Sequence, residues 1–338
     1  MNLINLIWYQ KINIRNFLLI IFLFPFSCLF YILSLIRRLL FRFGFKRQFK
    51  SKVPLVIIGG VSVGGSGKTP FCIALIKHLS EQGLKVGVLS RGYHSKNTSY
   101  PIKVELSTDA KICGDEPLLM KMSSTADTCI FVDPKREGAI RALENEGVDV
   151  ILSDDGLQHY AMQRDIEIVV LDAKRMLGNG LLLPAGPNRE GMWHVKKADF
   201  VVVNGKNDTD YHTMILKANQ PVSLKNFLDQ VSDTEQISKF TDVIAMSGIG
   251  NPQRFYNTLK EMNYNIADTL NIADHAVASD RDILLASEKY PVLMTAKDAV
   301  KYSRLKECKN LYVVTVNGHI DDEFFESFDR KLFDLLKK

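Results

Sequence analysis

Gly59 to Pro70 reads GGVSVGGSGKTP. This stretch follows Val53 to Ile58, an apolar run with the length of a buried strand, and precedes Phe71 to Leu79, whose apolar positions have helical spacing. A strand, a glycine turn and a helix opening on Lys-Thr form a phosphate-binding loop. Glycine tolerates the dihedrals that turn the backbone N–H groups of Gly64 to Lys68 toward an anion, and the helix start adds its positive dipole end. The candidate ATP-binding residues are therefore Ser62, Val63, Gly64, Gly65, Ser66, Gly67, Lys68 and Thr69. Lys68 is expected on the β- and γ-phosphates and Thr69 on Mg²⁺. Ser62 stands where the usual G-x-x-x-x-G-K-[ST] pattern has its first glycine. A variant loop of some dimeric ATPases carries a lysine just before the glycine pair, where this chain has Val63.

A second group of polar residues follows the apolar run Val148 to Leu152: Ser153-Asp154-Asp155-Gly156-Leu157-Gln158-His159. Carboxylates at the carboxyl end of a strand downstream of a phosphate loop commonly handle Mg²⁺, although Asp-Gly is also ordinary turn chemistry. Asp154, Asp155 and Glu116 are alternative direct metal ligands, beside Thr69. Glu116 belongs to Gly114-Asp115-Glu116-Pro117, where Pro117 suits a first helical turn and Asp115 suits a cap. The rigid loop Leu181 to Glu190, LLLPAGPNRE, presents Arg189 and Glu190.

These groups need a frame. Apolar runs at Val86 to Leu89, Cys129 to Val132, Ile166 to Leu171 and Val201 to Asn204 alternate with helix-length segments. That alternation predicts a P-loop NTPase-like, doubly wound parallel α/β domain over 51–210. Residues 211–240 are expected to form a hinge or linker, and 241–338 a smaller α/β domain without a phosphate loop. Its expected strands are Val243 to Met246, Ile266 to Leu270, Val292 to Thr295 and Leu311 to Val316. Helices are expected at Pro252 to Met262, Asp280 to Glu288 and Ala299 to Lys306, with a last one from Asp322.

Residues 1–50 are different in kind. Phe17 to Ile36 carries no charge and has the length needed to cross a bilayer core, with Pro25 near its centre. From Lys11 to Lys52 there are nine basic residues and no acidic one, which largely accounts for the formal net charge of +5. A membrane helix with a basic collar follows, and the positive-inside rule puts the downstream chain in the cytoplasm. No basic cluster with interleaved aromatics suggests a nucleic-acid partner. The five cysteines show no C-x-x-C spacing, which argues against a zinc site or disulfide framework.

In order along the chain, GGSGKTP, LSRGY, GDEP, DDGLQH, LLPAGPNRE, the Ala273-Asp274-His275 triplet and TAKDAVK resemble the tetraacyldisaccharide 4′-kinase family, the lipid A 4′-kinases. The resemblance covers nearly the whole chain. It implies transfer of the γ-phosphoryl of ATP, with Mg²⁺, to the 4′-hydroxyl of tetraacyldisaccharide 1-phosphate at the cytoplasmic face of the inner membrane. It further implies that Asp115 is the base, that His275 orients or tunes it, and that Lys68 takes part in catalysis. Gln158 and His159 would support the metal site, and Arg189 and Glu190, where the family's loop flanks the active site, would make either a lipid headgroup contact or a structural ion pair. Ala276 stands where the family often has a second histidine. No obligate protein partner is implied. The competing expectations are a membrane-tethered P-loop ATPase acting as a switch, and a soluble small-molecule kinase with an incidental hydrophobic leader.

Overall fold

The computed structural model describes residues 7–9, 13–92, 97, 99–206, 208–231, 237–239, 241–272 and 276–337. The first long element, α1 (Ile14–Arg42), is one continuous helix with Pro25 inside it and the Asn13 side chain capping its start. Its 29 residues span about 43 Å at 1.5 Å per residue. It is long and apolar enough to cross a membrane. Phe17, Leu18, Ile21, Phe22, Leu29 and Leu33 are all exposed along it.

The chain then builds β1 (Leu55–Gly59), α2 (Lys68–Glu81), β2 (Val86–Ser90), β3 (Ile102–Lys103), α3 (Ala110–Cys113), α4 (Asp115–Met122), β4 (Cys129–Val132), α5 (Glu137–Asn145), β5 (Val150–Ser153) and β6 (Ile166–Asp172). It continues through α6 (Met192–Val195), β7 (Phe200–Asn204), β8 (His212–Ala218), β9 (Val222–Ser223), α7 (Leu224–Asp229), β10 (Asp242–Ser247), α8 (Pro252–Glu261) and β11 (Asn265–Asn271). The last elements are α9 (Asp280–Lys289), β12 (Val292–Thr295), α10 (Ala296–Ala299), β13 (Leu311–Val314), β14 (Val316–Ile320) and α11 (Asp322–Leu336).

Two sheets result. The larger has nine strands in the order β14-β8-β7-β6-β1-β5-β2-β4-β3, and the smaller has five in the order β11-β10-β12-β13-β9. The central strands β1, β2, β5 and β7 are buried throughout, as a parallel sheet covered on both faces requires. Alternation along β1 sends Val56 and Ile58 to one apolar core and Leu55 and Ile57 to the other. The first core takes α2 through Phe71, Cys72, Leu75, Ile76 and Leu79. The second takes α5 through Ala139, Ile140 and Leu143.

The C-terminal segment departs from the expectation that 241–338 forms the smaller domain. Strand β14 pairs antiparallel with β8 at the edge of the large sheet, in the register Val316↔Ala218 to Ile320↔Met214. Helix α11 follows it and buries Phe324, Phe328 and Leu332 in the core of the large sheet. The Phe324 ring lies 5.5 Å from Phe71 of the phosphate-loop helix and 5.5 Å from Phe200 of β7. The amphipathic face of α11 is thus satisfied by the first core, which outweighs nearness in sequence. Residues 211–240 are likewise not a plain linker, since β8 belongs to the large sheet and β9 to the small one. Expected helix Ala299 to Lys306 is instead the short α10 and a 3₁₀ turn at Ser303–Leu305. The run Leu311 to Val316 is split, because the chain changes sheets at Thr315. Two crossings therefore join the domains, and they are tied together: Asn219 N–H donates to Thr315 O at 3.0 Å and its side-chain amide to Thr315 Oγ1 at 2.8 Å.

Candidate active site

The site lies at the carboxyl edge of the large sheet, where β1 runs between β5 and β6. The phosphate loop leaves β1, and α2 begins at Lys68 with Gly67 as its cap at φ 94°. A Cβ on Gly67 would sit 2.2 Å from the Asn204 amide nitrogen, so glycine is required both by conformation and by space. Asn204 at the end of β7 in turn donates to Ser66 O at 3.0 Å, holding the loop from below.

Asp154 and Asp155 follow β5. Asp155 adopts φ 45° and takes Lys68 Nζ at 3.5 Å on one oxygen and Arg189 at 3.2 Å on the other. Burial alone would raise its carboxyl, but Lys68 and Arg189 hold it below the usual range. Asp154 is more deeply buried, at 2 % exposure. Burial, reinforced by the charges of Glu116 and Asp155, pushes it up to about 7. Its hydrogen-bonding neighbour is the Cys72 thiol at 3.9 Å. Among the described residues no three His, Cys, Asp or Glu side chains converge as a ready-made metal cage. The donor set nevertheless suits Mg²⁺, which keeps water and phosphate oxygens as ligands and takes only one or two protein carboxylates.

Gln158 bridges the pieces: its amide donates to Gly60 O at 3.2 Å and its carbonyl accepts from Arg189 at 3.3 Å. His159 is held neutral, since burial and the nearby Arg136 and Arg37 lower it to about 4. Arg189 and Glu190 both enter ion pairs, Arg189 with Asp155 and Glu190 with Arg38 of α1 at 2.7 Å. Asp115 stands in the first turn of α4, 7 % exposed, with one oxygen accepting from Glu116 N at 3.0 Å. Glu116 pairs with Lys297 of α10 at 2.8 Å. His275, Tyr93 and Lys11 lie outside the described residues.

Three residues of the site had no assigned role in the sequence reading. Arg136, 3 % exposed at φ 69°, donates to the backbone oxygens of Asp154 at 3.3 Å and Asp155 at 3.0 Å, and so fixes the turn that aims both carboxylates. Its position just past β4, at the same sheet edge as the other loops, was the available signal. Lys297 sits inside TAKDAVK, a motif recognised without a function for that lysine. Arg254 of α8 reaches Asp172 at 3.1 Å and Asn204 at 2.7 Å, and no local pattern marks it.

A phosphate loop on a parallel sheet, with a lysine facing a carboxylate pair on the neighbouring strand end, defines a P-loop nucleotide-binding protein of the α/β class. Comparison with known proteins narrows this class. The family model described as tetraacyldisaccharide-1-P 4′-kinase matches residues 19–333. A tetraacyldisaccharide 4′-kinase of Haemophilus influenzae is 42% identical over 315 residues, covering 93% of this chain and 91% of its own. The one from Psychromonas ingrahamii is 39% identical over 332 residues, covering 98% of each. The crystal structure of LpxK from Aquifex aeolicus in complex with ATP superposes with a TM-score of 0.74 at 27% identity, covering 94% of this chain and 99% of that one. The chain belongs to the tetraacyldisaccharide-1-P 4′-kinase family.

Proposed function

We propose that this chain transfers the γ-phosphoryl group of ATP to the 4′-hydroxyl of tetraacyldisaccharide 1-phosphate, the step of lipid A biosynthesis that yields lipid IV-A. The observation that carries the reading is the convergence of Lys68, Asp154 and Asp155 at one sheet edge, in a chain of this family. Phosphoryl transfer asks for positioning and charge neutralisation more than for covalent chemistry. The loop amides and the start of α2 cradle the phosphates, and Lys68 exchanges its contact with Asp155 for the γ-phosphate. Thr69, Asp154 and Asp155 would hold Mg²⁺, which when bound neutralises charge on the β- and γ-phosphates. Arg136 fixes the backbone of both carboxylate residues, and Arg189, itself held by Gln158, pairs with Asp155 from the far side.

Asp115 serves as the base that takes the proton of the 4′-hydroxyl, with His275 orienting it. General-base assistance is worth about 10²–10⁴ in rate, and Asp115→Asn should lose that much while retaining ATP. The acceptor carries four acyl chains, and each buried methylene adds about 0.8 kcal/mol of membrane affinity. The site therefore works at a bilayer surface, the cytoplasmic face of the inner membrane, with α1 and the basic residues after it as the anchor. The test is incubation of the purified protein with ATP, Mg²⁺ and tetraacyldisaccharide 1-phosphate in detergent micelles, followed by mass and positional analysis of the lipid. One phosphate added at the 4′ position supports the reading. Phosphate released to water with none on the lipid would support a membrane-tethered ATPase instead.

A further inference from the structure

The loop Leu181 to Glu190 has two working faces. Toward α1, the Ser27 hydroxyl donates to Leu182 O at 2.8 Å and accepts from Ala185 N at 3.0 Å. Ser27 is 5 % exposed, while its neighbour Phe26 is 52 % exposed, so Ser27 lies on the docked side of the helix, the side that also buries Asn16 and Ile20. Arg38 lies eleven residues on, about three turns, which returns it to the same side. Its guanidinium pairs with Glu190 at 2.7 Å and stacks over the Trp193 ring at 4.0 Å. The other Glu190 oxygen accepts from Tyr160 at 2.5 Å, and Glu190 itself is 3 % exposed.

The opposite face of the loop holds the nucleotide site. Arg189 N–H and Glu190 N–H both donate to Val61 O, at 2.7 and 3.1 Å, and Val63 N–H donates to Pro187 O at 2.9 Å. Ser62 forms a β-bridge with Asn188. Val61 to Val63 open the phosphate loop, and the Arg189 side chain ends on Asp155 at 3.2 Å. Within two consecutive residues the chain passes from a carboxylate paired with the membrane helix to a guanidinium paired with the metal-handling carboxylate.

We infer that Arg38 and Ser27 of the membrane helix are positioning residues for the nucleotide site, setting through the Leu181–Glu190 loop the geometry of Val61–Val63 and Asp155. Helix α1 thereby does more than anchor the protein: its docking completes the ATP site even when no lipid acceptor is present. The physical reason is the burial of Glu190. Without Arg38 the buried carboxylate keeps only the Tyr160 hydroxyl and His194 at 3.8 Å, too little to compensate its charge, so it shifts toward water, and its backbone cannot move without pulling on Val61. This inference rests on the reading of the phosphate loop as the ATP site.

The experiment measures binding of a fluorescent ATP analogue with Mg²⁺ to the full chain in detergent micelles without acceptor, then KM for ATP and for lipid separately. Arg38→Gln should weaken nucleotide binding by about 10-fold and Ser27→Ala by about 3-fold, with Arg38→Lys recovering much of the loss, because ion-pair and hydrogen-bond contributions differ on that scale. A folded Arg38→Gln variant that binds the nucleotide within about twofold of wild type, with only its lipid KM raised, overturns the inference and makes Arg38 a lipid contact. If Arg38→Gln does not fold, Ser27→Ala with unchanged nucleotide affinity overturns it equally. Lys68→Ala separates the two levels. Loss of binding there validates the probe, whereas a wild type that binds no nucleotide would defeat the kinase reading itself.

Discussion

Lys297 of the smaller domain donates to Glu116 of the GDEP turn at 2.8 Å, so a cation from one sheet's strand end closes on a carboxylate beside the proposed base of the other. Both side chains are half-buried, at 18 and 28 % exposure, which gives the pair more weight than a solvent-exposed bridge. Glu116 also raises Asp154 by its charge, so the pair bears on the carboxylate proposed to handle Mg²⁺ as well.

Replacing Lys297 by Met should therefore lower the transfer rate by about 10- to 100-fold while nucleotide binding changes little, each factor of ten being about 1.4 kcal/mol of barrier. Stopped-flow nucleotide binding beside steady-state turnover separates the two quantities. Equal loss of both would make Lys297 part of the nucleotide site.

Gly67→Ala should abolish ATP binding and leave the rest of the fold intact. Its Cβ would meet the Asn204 amide at 2.2 Å, and an alanine at φ 94° also carries backbone strain of about 1–2 kcal/mol. Isothermal titration with ATP checks it, with circular dichroism as the control for folding.

Phe324→Ala tests the return of the C-terminus to the large sheet. Phe324 is fully buried between Phe71 and Phe200, and truncating such a side chain costs about 3–5 kcal/mol. Because Phe71 belongs to the phosphate-loop helix, the variant should melt early and bound nucleotide should recover part of the loss. A thermal shift confined to the small domain would contradict the topology.

His194 supplies a pH signature. Burial would lower its pKa, but Glu167 and Glu190, 3.7 and 3.8 Å from its ring nitrogens, raise it overall. A histidine whose pKa is higher folded than unfolded stabilises fully below its unfolded value, about 6.5, and loses that contribution as pH rises through the folded value. The stability gap between wild type and His194→Gln should therefore be widest below pH 6.5 and shrink as the pH is raised. Denaturant titrations at pH 6 and pH 9 measure it, and a gap that grows with pH would contradict the assignment.

Much of this arrangement was legible in the residues. The strand-turn-helix around Lys68 and the strand end before Asp154 are local patterns, and they appear as β1, α2 and β5 within three residues of the expected limits. What local pattern could not carry was partnership. Strand β8 has intermediate burial along most of its length, so it lacks the continuous apolar run that marked its neighbours. Strand β14, VNGHI, contains a glycine and two exposed polar positions, and only its pairing with β8 makes it a strand. The ties from Arg38, Arg136, Arg254 and Lys297 join positions far apart in the chain, where arginine and lysine look like any solvated cation until the fold brings their acceptors near.

The central claim is that Lys68 and the Asp154–Asp155 turn form one phosphoryl-transfer site acting on a lipid. It is tested most directly by following radiolabelled γ-phosphate from ATP to tetraacyldisaccharide 1-phosphate in micelles, comparing wild type with Lys68→Ala and Asp155→Asn. The account predicts label on the lipid with the wild type and its near-complete loss in both variants. Label reaching the lipid at wild-type rate in either variant would contradict the account.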